Sequence, residues 1–166
     1  MILTAAALRL LPHPPNFTPI AALALFGGAQ FSDRRAAFGV PLLALFLSDL
    51  LIGFHSLMPF VYGCFALTVL LGGWLRRGWS PHRLIGVGFM GALLFFLVTN
   101  CANWWVFDSY PRTFAGLLAC YLGGLPYLLN QLAADAFYGV LLFGGFALLQ
   151  RQHPMLRERI GTQACA

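Results

Sequence analysis

Charge is scarce in this 166-residue chain: 9% of its residues are charged, five acidic against ten basic, and all ten basic residues are arginine. With 60% hydrophobic residues and a mean hydropathy of +0.78, there is too little polar side chain to cover a soluble globule, which makes lipid the expected solvent. Cysteine is sparse and unpatterned. Cys64, Cys101, Cys120 and Cys165 form no CxxC or other metal spacing, and three of them lie inside apolar segments, so a disulfide framework is not expected. The start, Met1-Ile2-Leu3-Thr4, lacks a basic n-region, and no small-residue cleavage site precedes the first prolines, which argues against a cleaved signal peptide. Linkers and low-complexity tracts are also missing, so residues 1–150 read as one transmembrane domain and residues 151–166 as a cytoplasmic tail.

What is there is a series of hydrophobic blocks whose connecting loops alternate in character. Asp33-Arg34-Arg35, the run from Arg76 to Arg83, and the tail arginines Arg151, Arg157 and Arg159 make one set. His13-Pro14-Pro15-Asn16, Phe54-His55-Ser56 and Asp108-Ser109-Tyr110-Pro111-Arg112 make the other. The net charge of +5 and pI near 9.4 arise from arginines at segment ends rather than on one face, so topology explains them and nucleic acid is not an expected partner.

The spacing predicts an all-α, polytopic membrane helix bundle of about six transmembrane helices. Met1 to Leu11 rises only roughly 17 Å as a helix against a hydrocarbon core of ~30 Å, so it reads either as a half-span braced by its neighbours or as a span whose true start lies upstream. Phe17 to Phe31 carries Ala24 and Gly28 at a small-xxx-small spacing that lets helices approach closely, and is expected inside the bundle. Ala36 to Phe54, Leu57 to Leu75 and Arg83 to Val106 are span-length, with Trp104-Trp105, Trp74 and Trp79 suited to the interfaces. Thr113 to Tyr127, interrupted by Gly116, Gly123-Gly124 and Pro126, reads as a short re-entrant or interfacial hairpin before the last span, Leu128 to Gln150. Six spans place both termini on one side with eight of the ten arginines, which the positive-inside rule makes cytoplasmic and the membrane the bacterial inner one.

That orientation gives the intramembrane polar residues a depth. Asp49 lies roughly 9 Å below the outer end of its span, Tyr62 and Cys64 at a similar level, and Asn100, Asn103, Asn130, Gln131 and Asp135 in the outer halves of theirs. The inner halves are almost purely apolar, which disfavours a channel or a continuous proton relay and favours a cup open outward. The expected lining of that cup is Asp49, His55, Tyr62, Asn100, Asn103 and Asp135, with His13, Asn16 and Arg112 at its rim. Buried aspartates cost about 2.5–3.5 kcal/mol at the centre of a membrane helix, so Asp49 and Asp135 are expected to face inward and find partners, as ligand contacts or as helix-to-helix glue. Cys64 either packs as a small apolar residue or offers a soft sulfur to a metal.

Arg9-Leu10-Leu11-Pro12-His13-Pro14-Pro15-Asn16-Phe17-Thr18-Pro19, then Ala24-Leu25-Phe26-Gly27-Gly28-Ala29, then Ser48-Asp49-Leu50-Leu51-Ile52-Gly53-Phe54-His55 resemble a family of small bacterial integral membrane proteins. That family in turn is similar to the six-helix S components of energy-coupling-factor vitamin transporters, in particular the cobalamin (BtuM-like) type. The resemblance implies capture of a vitamin-like molecule, with cobalamin as the substrate rather than a resident cofactor and Cys64 as the candidate cobalt ligand. It also implies an energising module as partner, beside the bilayer and the ligand. Ala5, Ala6 and Ala7 have no small residue four positions on, however, so the docking motif of such a first helix is missing and that partner is in doubt. Two rival functions fit the same residues: a membrane enzyme acting through Cys64 on a bound cofactor, and an assembly subunit whose polar layer only joins helices.

Overall fold

The computed structural model describes residues 2–152 apart from 77 and 79. Arg77, Trp79 and the tail from 153 on, with Arg157, Arg159 and Cys165, lie outside the described residues. Every regular element is helical: α1 (Ile2–Leu10), α2 (Ile20–Gln30), α3 (Arg34–Ile52), α4 (Met58–Gly72, closed by a tighter turn at Gly73–Leu75), α5 (Pro81–Val106) and α6 (Phe114–Gly139), which runs on through a wide turn at Val140–Gly144 into α7 (Gly145–Gln152). Four helical stretches are long and apolar enough to cross a membrane: Arg34–Ile52, Met58–Leu75, Pro81–Val106 and the 39-residue rod Phe114–Gln152.

The helix starts follow from local chemistry. Asp33 accepts from the Arg35 amide at 2.9 Å, Ser80 from the Arg83 amide at 3.3 Å and Thr113 from the Gly116 amide at 3.1 Å, each satisfying an amide that the first turn leaves open. Pro59 and Pro81 occupy the first turns of α4 and α5, where a missing N–H removes little, whereas Pro41 lies inside α3 and forgoes the bond its amide would make to residue 37. Gly53 closes α3 at φ +109°, a backbone conformation that side chains disfavour.

The bundle is organised around its shortest interior helix. In α2, every residue from Ile20 to Ala29 is buried, and the helix touches α3, α4, α5 and α6. Apolar on all sides, it behaves as a core element and not as a lipid-facing span. At roughly 16 Å it stops short of the hydrocarbon thickness, so its terminal carbonyls need partners. Arg76 supplies them, donating from Nε to the Gly28 carbonyl at 2.8 Å and from Nη2 to the Phe31 carbonyl at 2.6 Å. The expected close approach at Gly28 is present and reciprocal. A Cβ on Gly28 would stand 2.0 Å from the Val69 carbonyl oxygen, and one on Gly72 would stand 2.3 Å from the Leu25 carbonyl oxygen, so α2 and α4 meet backbone to backbone.

Beside this core α1 lies on α3 through the buried Ala5 and Ala6. On the other side α5 and α6 form an antiparallel pair. Here the structure departs from expectation: residues 113–127 form no hairpin but the cap and roughly the first third of the rod. Gly123 and Gly124 do not break the helix. They make room for α5 and its following loop, since a Cβ at Gly123 would meet the Tyr110 hydroxyl at 2.7 Å and one at Gly124 the Asn100 side chain at 2.4 Å. Pro126 is accommodated within α6. Phe114, Leu118, Leu122, Leu125 and Leu129 are exposed at the three- and four-residue spacing of one helix face, the stripe that lipid would cover.

Candidate functional site

The loops 11–19 and 53–57 gather at one end of the bundle, and the arginine-bearing turns around Arg35 and Arg83 lie at the other. Between α1 and α3 on one side and α5 and α6 on the other, a cleft of about 570 Å³ opens at the histidine end, above α2. Its floor is apolar: Ile20 and Ala21 from α2, Leu45 from α3, Val61 and Phe65 from α4 and Phe95 from α5. Phe65 and Phe95 stand 5.3 Å apart between ring centroids. Its walls carry hydrogen-bonding groups, with Arg9, His13, Asn16 and Thr18 facing Thr99, Asn100, Asn103, Tyr127 and Gln131, and His55 at the α3–α4 turn. Among the described residues no aspartate or glutamate lines it.

Several wall residues are held in place. Asn130 donates to the Pro15 carbonyl at 3.1 Å, tying the loop with His13 and Asn16 to α6. Asn16 has φ +63°, a left-handed conformation that asparagine tolerates better than most residues. On α5, the Asn100 amide donates to the Phe96 carbonyl at 2.8 Å and Asn103 reaches the Cys120 sulfur at 3.5 Å. Tyr121 donates to the Leu97 carbonyl at 2.9 Å. The α5–α6 wall is thus locked by side chains on both helices.

Of the residues expected to bind ligand, His13, Asn16, His55, Asn100 and Asn103 line the cleft. Asp49 and Tyr62 do not. They lie behind the wall as a network in which Asp49, 1% exposed, pairs through Oδ1 with Arg9 Nη1 and accepts through Oδ2 from the Tyr62 hydroxyl at 2.9 Å. Ser48 joins it, 2.7 Å from the same Arg9 nitrogen. Arg112 belongs to the α5–α6 turn, where it donates to the Trp105 carbonyl, pairs with Asp108 at 3.0 Å and lies 5.8 Å from the Trp104 ring centre. Cys64 is 2% exposed and off the cleft wall. No cluster of three or more His, Cys, Asp or Glu forms among the described residues. Arg9 is the residue that sequence reasoning missed as a site member. Its signal was a lone arginine in an apolar half-span, in a chain whose buried aspartate needed a cation.

Asp135 is separate from all of this. Both carboxylate oxygens are shielded from solvent and have no hydrogen-bond partner among the described residues, and the residue is off the cleft wall. A carboxylate so placed opposes folding. Asp135→Leu is therefore expected to raise stability by about 1–3 kcal/mol, seen as an increase of several degrees in Tm in detergent. A lower Tm would mean that the carboxylate is held by a partner.

The fold and cleft define a helical-bundle protein with membrane-spanning potential and a cleft of mixed polarity. The chain belongs to the DUF6580 family, a family of unknown function whose profile matches residues 1–156. No curated protein and no solved structure matches it significantly.

Proposed function

We propose that this is a multi-pass protein of the bacterial inner membrane that captures a compact, vitamin-like small molecule from outside the cell for uptake. The observation that carries the reading is the cleft of about 570 Å³ with an apolar floor and polar walls. That size and mixture suit a small-molecule site better than simple joints between helices. The orientation rests on charge. Arg34, Arg35, Arg76, Arg83 and Arg151 cluster at the end opposite the cleft, the distribution that the positive-inside rule ties to the cytoplasm. Among the described residues there are six helical bodies, with α6 and α7 counted as one rod, an even number that supports a topology with both termini cytoplasmic and the cleft mouth outside.

The half of the bundle beneath the cleft supports capture over conduction. It is filled by Leu25, Phe26, Leu75, Val87 and Phe143, which offer no polar path. Release inward then requires the bundle to rearrange. Cobalamin, the ligand that the resemblance implied, would have to enter without a bond to Cys64 and with the α5–α6 wall displaced, so the reading favours smaller molecules. The test is thermal unfolding of the purified protein across a panel of vitamins and small metabolites. A ligand at about a hundred times its Kd should stabilise the wild type by ~2.7 kcal/mol. Thr99→Phe, which fills the cleft from α5, should abolish that gain; equal stabilisation of both proteins would place binding elsewhere and refute the reading.

A further inference from the structure

We infer that Arg9 is the recognition residue of the cleft and that its ligand is a carboxylic acid: a compact monoanion with an apolar body. The inference rests on the capture reading above and specifies its chemistry.

Among the described residues Arg9 is the one permanently charged side chain on the cleft wall, which otherwise carries histidines, amides, hydroxyls and apolar groups. Its contacts with protein all pass through a single nitrogen. Nη1 reaches the Leu45 carbonyl at 3.4 Å, Ser48 Oγ at 2.7 Å and Asp49 Oδ1. Nε and Nη2 make no hydrogen bond among the described residues. Those two nitrogens form the planar edge of a guanidinium that grips a carboxylate through two parallel N–H···O bonds. The side chain is 16% exposed, it belongs to a residue of the cleft wall, and the unused edge is not among the fully buried unpartnered groups, so a molecule in the cleft can reach it.

Three of the five guanidinium N–H donors, those on Nε and Nη2, are therefore left for a molecule in the cleft to take up. The other edge is anchored in a way that a purely structural ion pair would not require. Asp49 is itself fixed by Tyr62, and Ser48 by its bonds to the Ala44 and Leu45 carbonyls at 3.1 and 2.8 Å. The orientation of Arg9 is thus set before ligand arrives, which lowers the ordering cost of binding. No acidic residue on the wall competes for the free edge. The rest of the ligand follows from the surroundings: Leu45, Phe65 and Phe95 beside Arg9 take an apolar body, and Asn100, Asn103 and Gln131 across the cleft take a polar far end.

The experiment measures affinity of the purified, full-length protein for matched pairs of an acid and its amide: nicotinate and nicotinamide, biotin and biotinamide, lipoate and lipoamide, indole-3-acetate and indole-3-acetamide. At least one acid should bind at least about tenfold more tightly than its amide, because only the acid engages both donors as a charged pair. Two variants separate recognition from folding. Arg9→Lys keeps a cation for Asp49 but has no planar fork, and should cut the affinity for the acid at least about tenfold while the amide changes little. The double variant Arg9→Gln with Asp49→Asn replaces the ion pair by a neutral hydrogen-bonding pair and should erase the preference for acid. Amides that bind as well as acids, a preference that survives both variants, or binding by none of these compounds would overturn the assignment. Capture itself would still stand if a neutral compound bound in a manner lost in Thr99→Phe, and would fall with it if none did.

Discussion

Asp49→Ala is expected to cost about 3–5 kcal/mol of stability, the loss seen when one partner of a buried ion pair is removed. It should appear as a large drop in Tm in detergent and poor recovery of folded protein. Asp49 is almost fully enclosed, and its two oxygens are divided between Arg9 and Tyr62. Removing it leaves a guanidinium and a phenol, both partly buried, without their shared acceptor. Arg9→Ala should be similarly harmful, because it strands the carboxylate. The paired variant Arg9→Ala with Asp49→Ala should lose less than the sum of the two, which a double-mutant cycle measures as a favourable coupling between them. Additive losses would show that the two side chains act independently. Tyr62→Phe, which removes only one donor from Asp49, should cost less, about 1–2 kcal/mol.

The second large effect is expected at the α2–α4 crossing. Gly28→Leu should cost more than about 3 kcal/mol or prevent folding, above the usual range for overpacking. The obstruction is the Val69 carbonyl oxygen, 2.0 Å from where the new Cβ must go, and a backbone atom cannot rotate aside as a side chain does. Relief requires α2 and α4 to part, and because α2 also supports the cleft floor through Ile20 and Ala21, the site would be distorted with the fold. Gly72→Leu should behave alike, since its Cβ meets the Leu25 carbonyl oxygen from the opposite side. Gly39→Ala supplies the control. Open space surrounds that position in α3, and alanine is the better helix former by roughly 0.5–1 kcal/mol, so the variant should be neutral or slightly more stable. A tolerated Gly28→Leu would contradict the close crossing.

Much of the architecture was legible in the sequence because lipid leaves few options. Apolar blocks bounded by Ser, Asp, Pro and Gly became α3, α4 and α5 within a few residues of the expected limits, and the small residues Ala24 and Gly28 correctly marked α2 as interior. The hairpin was misread because Gly123, Gly124 and Pro126 are ambiguous in one dimension. The same glycines that would break a lone helix are needed where Asn100 and Tyr110 press against it, and that contact joins segments more than ten residues apart. The site was half legible for a similar reason. His13, Asn16, His55, Asn100 and Asn103 share a level that helix rise alone predicts, and they do line one cleft. Which polar groups face that cleft and which face one another depends on rotation about the helix axes. Asp49 turned toward Arg9, forty residues earlier, and so moved from expected ligand contact to the support of one.

Native mass spectrometry of the protein extracted gently from its own membranes tests the central claim most directly, that the cleft holds a small molecule. Wild-type protein should carry an additional mass of a compact organic acid at about one per chain, and Thr99→Phe, folded and equally abundant, should fly as bare polypeptide. The same adduct on both proteins, or no adduct on either together with no compound that stabilises the wild type, would contradict it.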